Sequence, residues 1–382
     1  MRCNYRYIFA AVCLMFCFAF IWGCQDDKND SEKNTAKEKE TSGQVKEYSL
    51  NDFVMDTVLA ETIYGDKDVT KEIKEQLSKL ETEQLSWRED ESRTAYINTE
   101  CQKGEKVFME EDFASWVQTS VDLAKKSEGA FDPTIGRLTR LWNIEGENPT
   151  VPPQNEIDAV LKNVGYGYIN IEETAAKNQN SEEKGAKEKY ISMEKETTLD
   201  LGAVGKGIGC DAVKNYIEEK ENVSGAVIAI GGSILVWGQK PDGENWKVAI
   251  RDPEGEDGTY MGVISLADTA FISTSGDYEK YFEKDGIRYH HILDPKTGYP
   301  SQSGLSSVTV VCGENEKTGK NAGLLSDGLS TACFVLGKDK GLKLLKEYDA
   351  EGVFIDKEGN VSVTEGLKGR FELLKEDYKP LP

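Results

Sequence analysis

Both histidines of the 382-residue chain stand side by side, His290 and His291, in the stretch RYHHILDPKTGYP (288–300). Histidine is the side chain whose unperturbed titration falls between pH 5 and 8, so a chain needing one proton-transfer group near neutrality would use it. A strand with one polar residue facing in and one facing out explains the doublet equally, and its surroundings must decide. A second stretch, LDLGAVGKGIGCDAV (199–213), sets glycines 202, 205, 207 and 209 around Lys206. Backbone N–H groups without side chains can approach a phosphate, a helix N-terminus favours an anion, and the lysine adds a full charge. Gly207 follows Lys206, so this is not a Walker A loop, and the spacing is not G-x-G-x-x-G. Close helix packing would account for the glycines as well.

Four further stretches carry polar groups at suggestive spacing. In LSDGLSTACFVLG (325–337), Asp327 and Thr331 are four apart, which on a helix places a carboxylate and a hydroxyl on one face. Such hard oxygen donors suit Mg2+, which keeps waters or phosphate oxygens as its other ligands. A capping Asp with a packed Thr is the ordinary alternative. GAFDPTIGRLTRLWN (129–143) reads as a capped helix start, while GGS (231–233) and STSGDYEKY (273–281) place small residues and hydroxyls in turns after strands.

The elements that must position these groups follow from periodicity. Apolar spacing predicts helices over 66–85 and 108–127, the latter ending at Gly129. A charged stretch at 173–189 reads as an inserted surface loop between strands at about 166–171 and 190–199. After residue 223, β-branched runs separated by Gly, Pro and Asp turns predict strands in GAVIAIGGSILVWG, WKVAIRDP, GVISLADTAFISTSG, YHHIL and LSSVTVVC. A helix over about 317–336 and a hairpin turning at Lys357–Asn360 complete an α+β architecture of mixed and antiparallel sheets with flanking helices. The folded part, 48–382, is one large domain or two intimately packed halves.

The N-terminus sets the compartment. Arg2 and Arg6 precede an apolar run from Ile8 to Trp22, which ends at Gly23-Cys24. This predicts a secretory leader over 1–23 with Cys24 as a lipidated new N-terminus, followed by a disordered polar tether over 24–47. The protein is then extracytoplasmic and anchored to the cell membrane. The net charge of −22 becomes −24 once the leader, with its two arginines and no acid, is removed. That disfavours nucleic acid and anionic membrane surfaces as partners, and any polyphosphate chemistry would require a bound cation. Cys101, Cys210, Cys312 and Cys333 lack metal or redox spacing and read as buried thiols, with disulfides as the alternative.

Taken in order, FDPTIGRL, LDLGAVGKG, GGS, STSGDY, HHILDPKTGYP and SDGLSTACFVLG resemble the ApbE family of FAD:protein FMN transferases, over about Val54 to Gly337. The resemblance implies an ApbE-like domain that moves FMN from FAD to a Thr or Ser hydroxyl of an exported or membrane-bound acceptor flavoprotein of an electron-transport system, releasing AMP. It implies His291 as the base and leaves His290 incidental, pointing to the other side of its strand, so that His290→Ala keeps most activity. Mg2+ would be held by Asp327, Thr331 and the Ala203 carbonyl, with the Ser330 carbonyl a further ligand. FAD contacts would come from Met55 on the first strand, Asn98 at the end of the loop LSWREDESRTAYIN, Ala130, Phe131, Asp132, Asp200, Lys206, Ser275 and Ile292. Three alternatives remain at this level: a Mg2+-dependent FAD pyrophosphatase, a non-catalytic flavin-binding lipoprotein, and an acidic interaction protein.

Overall fold

The computed structural model describes residues 45–175, 187–194, 196–220, 222–256 and 258–381. The expected leader, nearly all of the expected tether and the middle of the expected surface loop lie outside these residues.

The described chain opens with a hairpin of β1 (Lys46–Val54) and β2 (Thr57–Gly65). Helix α1 (Thr70–Lys79) follows with a π-helical turn at Leu80–Leu85, then α2 (Arg93–Gln102), β3 (Val107–Met109) and α3 (Glu111–Lys126). Helices α4 (Gly136–Trp142) and α5 (Gln154–Leu161) precede the hairpin of β4 (Ile169–Ala175) and β5 (Lys187–Met193), and α6 (Gly205–Glu218) comes next. Then come β6 (Val223–Ile230), β7 (Ser233–Gly238), β8 (Trp246–Arg251), β9 (Tyr260–Leu266), β10 (Ala270–Gly276), β11 (Tyr281–Lys284), β12 (Ile287–His290) and β13 (Leu305–Cys312). Helices α7 (Ala322–Leu336) and α8 (Lys338–Glu347) lead into β14 (Glu351–Asp356), β15 (Asn360–Val363), β16 (Phe371–Leu373) and β17 (Lys379–Pro380).

Nine strands form one sheet in the order β1-β2-β6-β7-β10-β13-β14-β15-β17, and smaller sheets are built from β16-β9-β8, β3-β5-β4 and β11-β12. Pairing is antiparallel throughout except between β15 and β17. This is the α+β class expected from the run of strands. The large sheet is covered on one face by helices, α7 lying across β10 and β13 beside α6, where Val308, Val310 and Cys312 join the main core. Its other face packs on β8 and β9, where Val236, Ile272 and Ile355 meet Trp246, Val248 and Ile264. Every residue of β13 is buried because the strand is sandwiched between these layers. A smaller cluster of Leu138, Trp142, Ile157 and Leu293 sits beneath the segment after His291.

Several boundaries differ from the sequence expectation. β1 begins at Lys46, inside the expected tether, because every residue of that strand pairs with β2. The expected 173–189 loop is shorter, since Glu173–Ala175 and Lys187–Lys189 pair as strand. The helix expected over 66–85 starts at Thr70, where Asp68 Oδ1 accepts from the Thr70 N–H at 3.0 Å, and its last turn is π-helical. The strand expected through YHHIL ends at His290. His291 therefore lies in a bend past the strand, not on its opposite face. Cys101, Cys210, Cys312 and Cys333 are buried free thiols.

Candidate active site

The site is organised by the crossing of α6 and α7, and two glycines set its closeness. A Cβ on Gly207 would lie 2.1 Å from the Gly323 carbonyl oxygen, and one on Gly323 would lie 2.4 Å from that of Gly207. Gly207 therefore serves helix packing, and Gly209 does the same against Leu77, Ile230 and Met55. That approach has a chemical consequence. The Gly207 N–H, one of the first N–H groups of α6 and so without a helical acceptor, donates to Asp327 Oδ2 at 3.0 Å. Asp327 thus caps the start of α6 from the neighbouring helix.

Asp327 is 4% exposed, yet it is well supplied with partners. Ser233 Oγ donates to its Oδ1 at 3.1 Å, and Lys206 Nζ lies 3.8 Å from Oδ2. Asp327 raises the Lys206 ammonium above its ordinary pKa against the opposing cost of burial, so the lysine stays charged. Behind Asp327 the hydroxyls of β10 and α7 pair across the interface: Ser273 with Ser326 at 2.8 Å, and Ser275 with Ser330 at 2.8 Å and Thr331 at 3.3 Å. The expected Ser275 is therefore part of strand β10, and it reaches the helix turn that carries Thr331. Ser330 Oγ donates to the Asp327 carbonyl at 2.8 Å. The Ser330 carbonyl lies inside α7, where helical geometry directs it toward the N–H of Phe334.

His291 lies within electrostatic reach of this corner, through Lys206. Its backbone N–H donates to the Lys280 carbonyl at 3.0 Å, and its Nδ1 lies 3.3 Å from the same oxygen. A carbonyl can only accept, so Nδ1 carries the proton and the Nε2 lone pair is left for other chemistry. Burial, then Lys280, Lys206 and His290, lower the His291 pKa to about 4, opposed by Glu145. The imidazole is thus neutral at pH 7. The segment behind it is locked by the Asp-Pro turn. Asp294 Oδ1 accepts from Lys296 N at 2.9 Å, and Trp142 Nε1 donates to the Gly298 carbonyl at 2.6 Å. Gly298 has φ 75°, and a Cβ there would meet Ile157 at 2.5 Å.

The remaining expected contacts are half-buried or buried. Met55 sits in the turn of the β1–β2 hairpin rather than in a strand, with Met55 and Asp56 at φ 53° and 54°. Its N–H donates to Glu81 Oε2 at 2.8 Å, which holds this left-handed turn over α6. Asn98 lies on α2 rather than at the end of a loop, and its amide serves as a strand mimic. Nδ2 donates to the Leu199 carbonyl at 2.9 Å, and Oδ1 accepts from the Leu199 N–H at 2.7 Å. Asn98 thereby fixes the residue before Asp200 rather than presenting a free amide. Asp200 Oδ1 accepts from Gly202 N at 2.8 Å; burial pushes its carboxyl up, opposed by Gly202, Arg88, Thr139 and Trp87. Asp132 takes both donors of Thr134 and, at 2.8 Å, the N–H of Tyr166. Burial pushes its carboxyl up against these bonds. The side chains of Ala130, Phe131 and Ile292 are buried, the last two in the main core. Ala203 packs against that core from the turn before α6.

Further groups reach the site only through the tertiary fold. Ser233 lies within GGS, but its tie to Asp327 spans 94 residues. Glu279 approaches Gly232 and acts electrostatically on Lys206, and Glu145 pairs with Lys280 at 3.0 Å. Trp87 carries the guanidinium groups of Arg88 and Arg140 at 4.7 and 4.8 Å. No local spacing signals these. Among the described residues no group of three or more His, Cys, Asp or Glu side chains could hold a metal ion. Any cation here would rely on the single carboxylate of Asp327 with hydroxyl and carbonyl oxygens.

The chain is similar in sequence and fold to several known proteins. The chain is 28% identical over 344 residues to the FAD:protein FMN transferase of Treponema pallidum, covering 86% of this chain and 90% of that one. It is 31% identical to the Vibrio cholerae protein of the same name, covering 69% and 70%. The crystal structure of the ApbE protein from Thermotoga maritima superposes with a TM-score of 0.71 at 30% identity, over 85% of this chain and 99% of that one. The apo flavinyl transferase ApbE of Pseudomonas stutzeri gives 0.69 at 27% identity, over 87% and 98%. The ApbE family model matches residues 55–354, a span that begins at the hairpin turn over α6 and takes in both histidines and the α6–α7 crossing, and the chain belongs to the ApbE family.

Proposed function

We propose that this chain is a Mg2+-dependent FAD:protein FMN transferase that attaches FMN to a Thr or Ser hydroxyl of an acceptor protein and releases AMP. The observation that carries the reading is the pairing of two half-sites: the Lys206–Asp327–Ser233 corner and, within electrostatic reach of it, a neutral His291 with its Nε2 lone pair available. A threonine hydroxyl is a weak nucleophile and needs a base within hydrogen-bond reach as it attacks. His291 Nε2 takes the hydroxyl proton, the oxygen forms a bond to the FMN phosphorus, and the pyrophosphate P–O bond to AMP breaks. Bound pyrophosphate brings negative charge beside the imidazole, which raises its pKa from the depressed value of the free protein and makes it a better base.

The oxygen donors of the corner fit a hard cation. Asp327, the Thr331 hydroxyl and the Ala203 carbonyl would hold Mg2+, with the Ser330 carbonyl a further candidate. The ion would offset negative charge on the phosphate oxygens. Lys206 supplies a second positive charge, and Ser233 and the Gly207 N–H keep the carboxylate oriented. Met55, Asn98, Ala130, Phe131, Asp132, Asp200, Ser275 and Ile292 shape the walls for FAD, several of them by fixing backbone rather than by presenting a free side chain. Cys24 is the proposed lipid anchor that holds the domain outside the cytoplasmic membrane, where its acceptor would be an exported flavoprotein subunit.

The test mixes the protein with FAD and a candidate acceptor domain, with and without Mg2+, and follows AMP together with the acceptor's intact mass. Gain of one FMN per acceptor with AMP release, both requiring Mg2+ and His291, is the expected result. AMP and free FMN with an unmodified acceptor would make water the nucleophile and overturn the transferase reading in favour of a pyrophosphatase.

A further inference from the structure

His290 is 2% exposed and is not a bystander. Its Nε2 lies 3.0 Å from the Ser301 carbonyl, while the Ser301 N–H donates to the Ile292 carbonyl at 2.9 Å. Ser301 therefore ties down both chain neighbours of His291. On its other side the His290 ring meets Phe334 edge to face, with centroids 5.6 Å apart and planes at 82°. Phe334 follows Asp327 by seven residues and Thr331 by three on α7, so the three share one helix face. We infer that His290 is a positioning residue, a rigid strut that sets His291 relative to the Asp327–Thr331 face of α7.

The tautomers support this role. Because the Ser301 carbonyl can only accept, His290 carries its proton on Nε2, the opposite choice to His291. Its Nδ1 has no hydrogen-bond partner among the described residues, so this ring has no proton-relay route on that side. The charged groups facing it are Asp277 after β10, Lys357 after β14 and Arg288 on its own strand; burial, aided by Lys357 and Arg288, outweighs the Ser301 hydrogen bond and Asp277 and lowers its pKa, keeping the ring neutral. An uncharged imidazole held by one carbonyl and one aromatic ring is a spacer of fixed length.

The inference rests on His291 being the base of the proposed transfer, and one of its two tests does not use activity. The chain has two histidines, so protein labelled with 15N-histidine and carrying no histidine tag gives two imidazole spin systems. Wild type is expected to show one Nε2–H ring, His290, and one Nδ1–H ring, His291. His290→Ala should cost the His291 signal its single-tautomer pattern, and His290→Gln, whose amide can donate to Ser301, should keep it. In steady-state assays His290→Ala should lower kcat 10- to 100-fold per folded molecule with KM for FAD within threefold, and His290→Gln should recover most of the loss. A wild-type His290 that is Nδ1–H or averages between tautomers overturns the inference even if the alanine variant fails to fold. An unchanged His291 signal and kcat in His290→Ala, or no recovery by Gln, overturns it as well. Absence of AMP release by wild type would sink the transferase reading while the spectra still decide the role of His290.

Discussion

Asp327 at the α6–α7 crossing and Glu61 in the β1–β2 hairpin are buried to the same depth, 4% and 3% exposed, but their surroundings are opposite. Asp327 receives a backbone N–H and a hydroxyl and stands beside a lysine. Both carboxyl oxygens of Glu61 lack a partner among the described residues, and Glu61 lies between the fully buried Leu59 and Ile63 on the same face of β2. Burial, with Asp68 and Asp52 adding repulsion, raises its pKa to about 8. Burial by itself therefore says little about function. A compensated buried carboxylate can hold a charge for chemistry, whereas an uncompensated one stays protonated and weakens the fold.

The sharpest way to break the comparison is to remove the compensated group. Asp327→Ala is expected to lower FMN transfer by about 10³-fold or more, with Mg2+ no longer stimulating, because the carboxylate proposed to hold the cation is gone. His291→Ala should cost about 10²–10⁴-fold in kcat, the usual range for a general base, while FAD binding followed by flavin fluorescence stays within a few-fold. In wild type the acid limb of kcat/KM should fall well below the ordinary histidine value of 6.5, toward the lowered pKa of about 4. A limb at 6.5 would remove His291 as the base.

Smaller effects test the scaffold. Gly207→Ala forces a methyl against the Gly323 carbonyl and the Asp327 Cβ. Such overpacking is expected to cost about 1–3 kcal/mol in thermal unfolding, with a larger proportional loss of activity than of stability because Asp327 moves. Glu61→Leu should do the reverse, raising stability by about 1–2 kcal/mol at pH 8 through removal of an unsatisfied buried group. The sign follows from linkage. The unfolded Glu61 releases its proton near 4.5 and the folded one near 8, so its contribution to stability declines as pH rises through that window. The gain from Glu61→Leu should therefore be smaller at pH 5 than at pH 8, and an equal gain at both would mean that Glu61 is not the group responsible.

Legibility in the sequence followed the range of each interaction. The α+β class, the strands after residue 223, the Asp-Pro turn and the hairpin at Lys357–Asn360 come from local patterns, and the structure has them. The glycine run was ambiguous between phosphate binding and packing. The crossing resolves it in favour of packing for Gly207, which meets Gly323 in a contact between two helices distant in sequence. Asn98 was expected at the end of a loop, yet it lies on a helix and bonds Leu199, 101 residues away. Met55 was expected on a strand, yet it occupies a left-handed turn that Glu81 stabilises from the π-helical segment.

By itself the sequence determined which residue types are available: two adjacent histidines, one lysine inside a glycine run, and an Asp and a Thr four apart. It also determined most of their local elements, though not the bend that holds His291, because helix and strand periodicity depend on near neighbours. Tertiary structure alone decided which histidine has a free Nε2, through the Lys280 and Ser301 carbonyls. It likewise decided that Asp327 is compensated and Glu61 is not. The physical reason is that protonation and tautomer depend on donors, acceptors and solvent within a few ångströms, and folding brings these from parts of the chain that no local pattern connects.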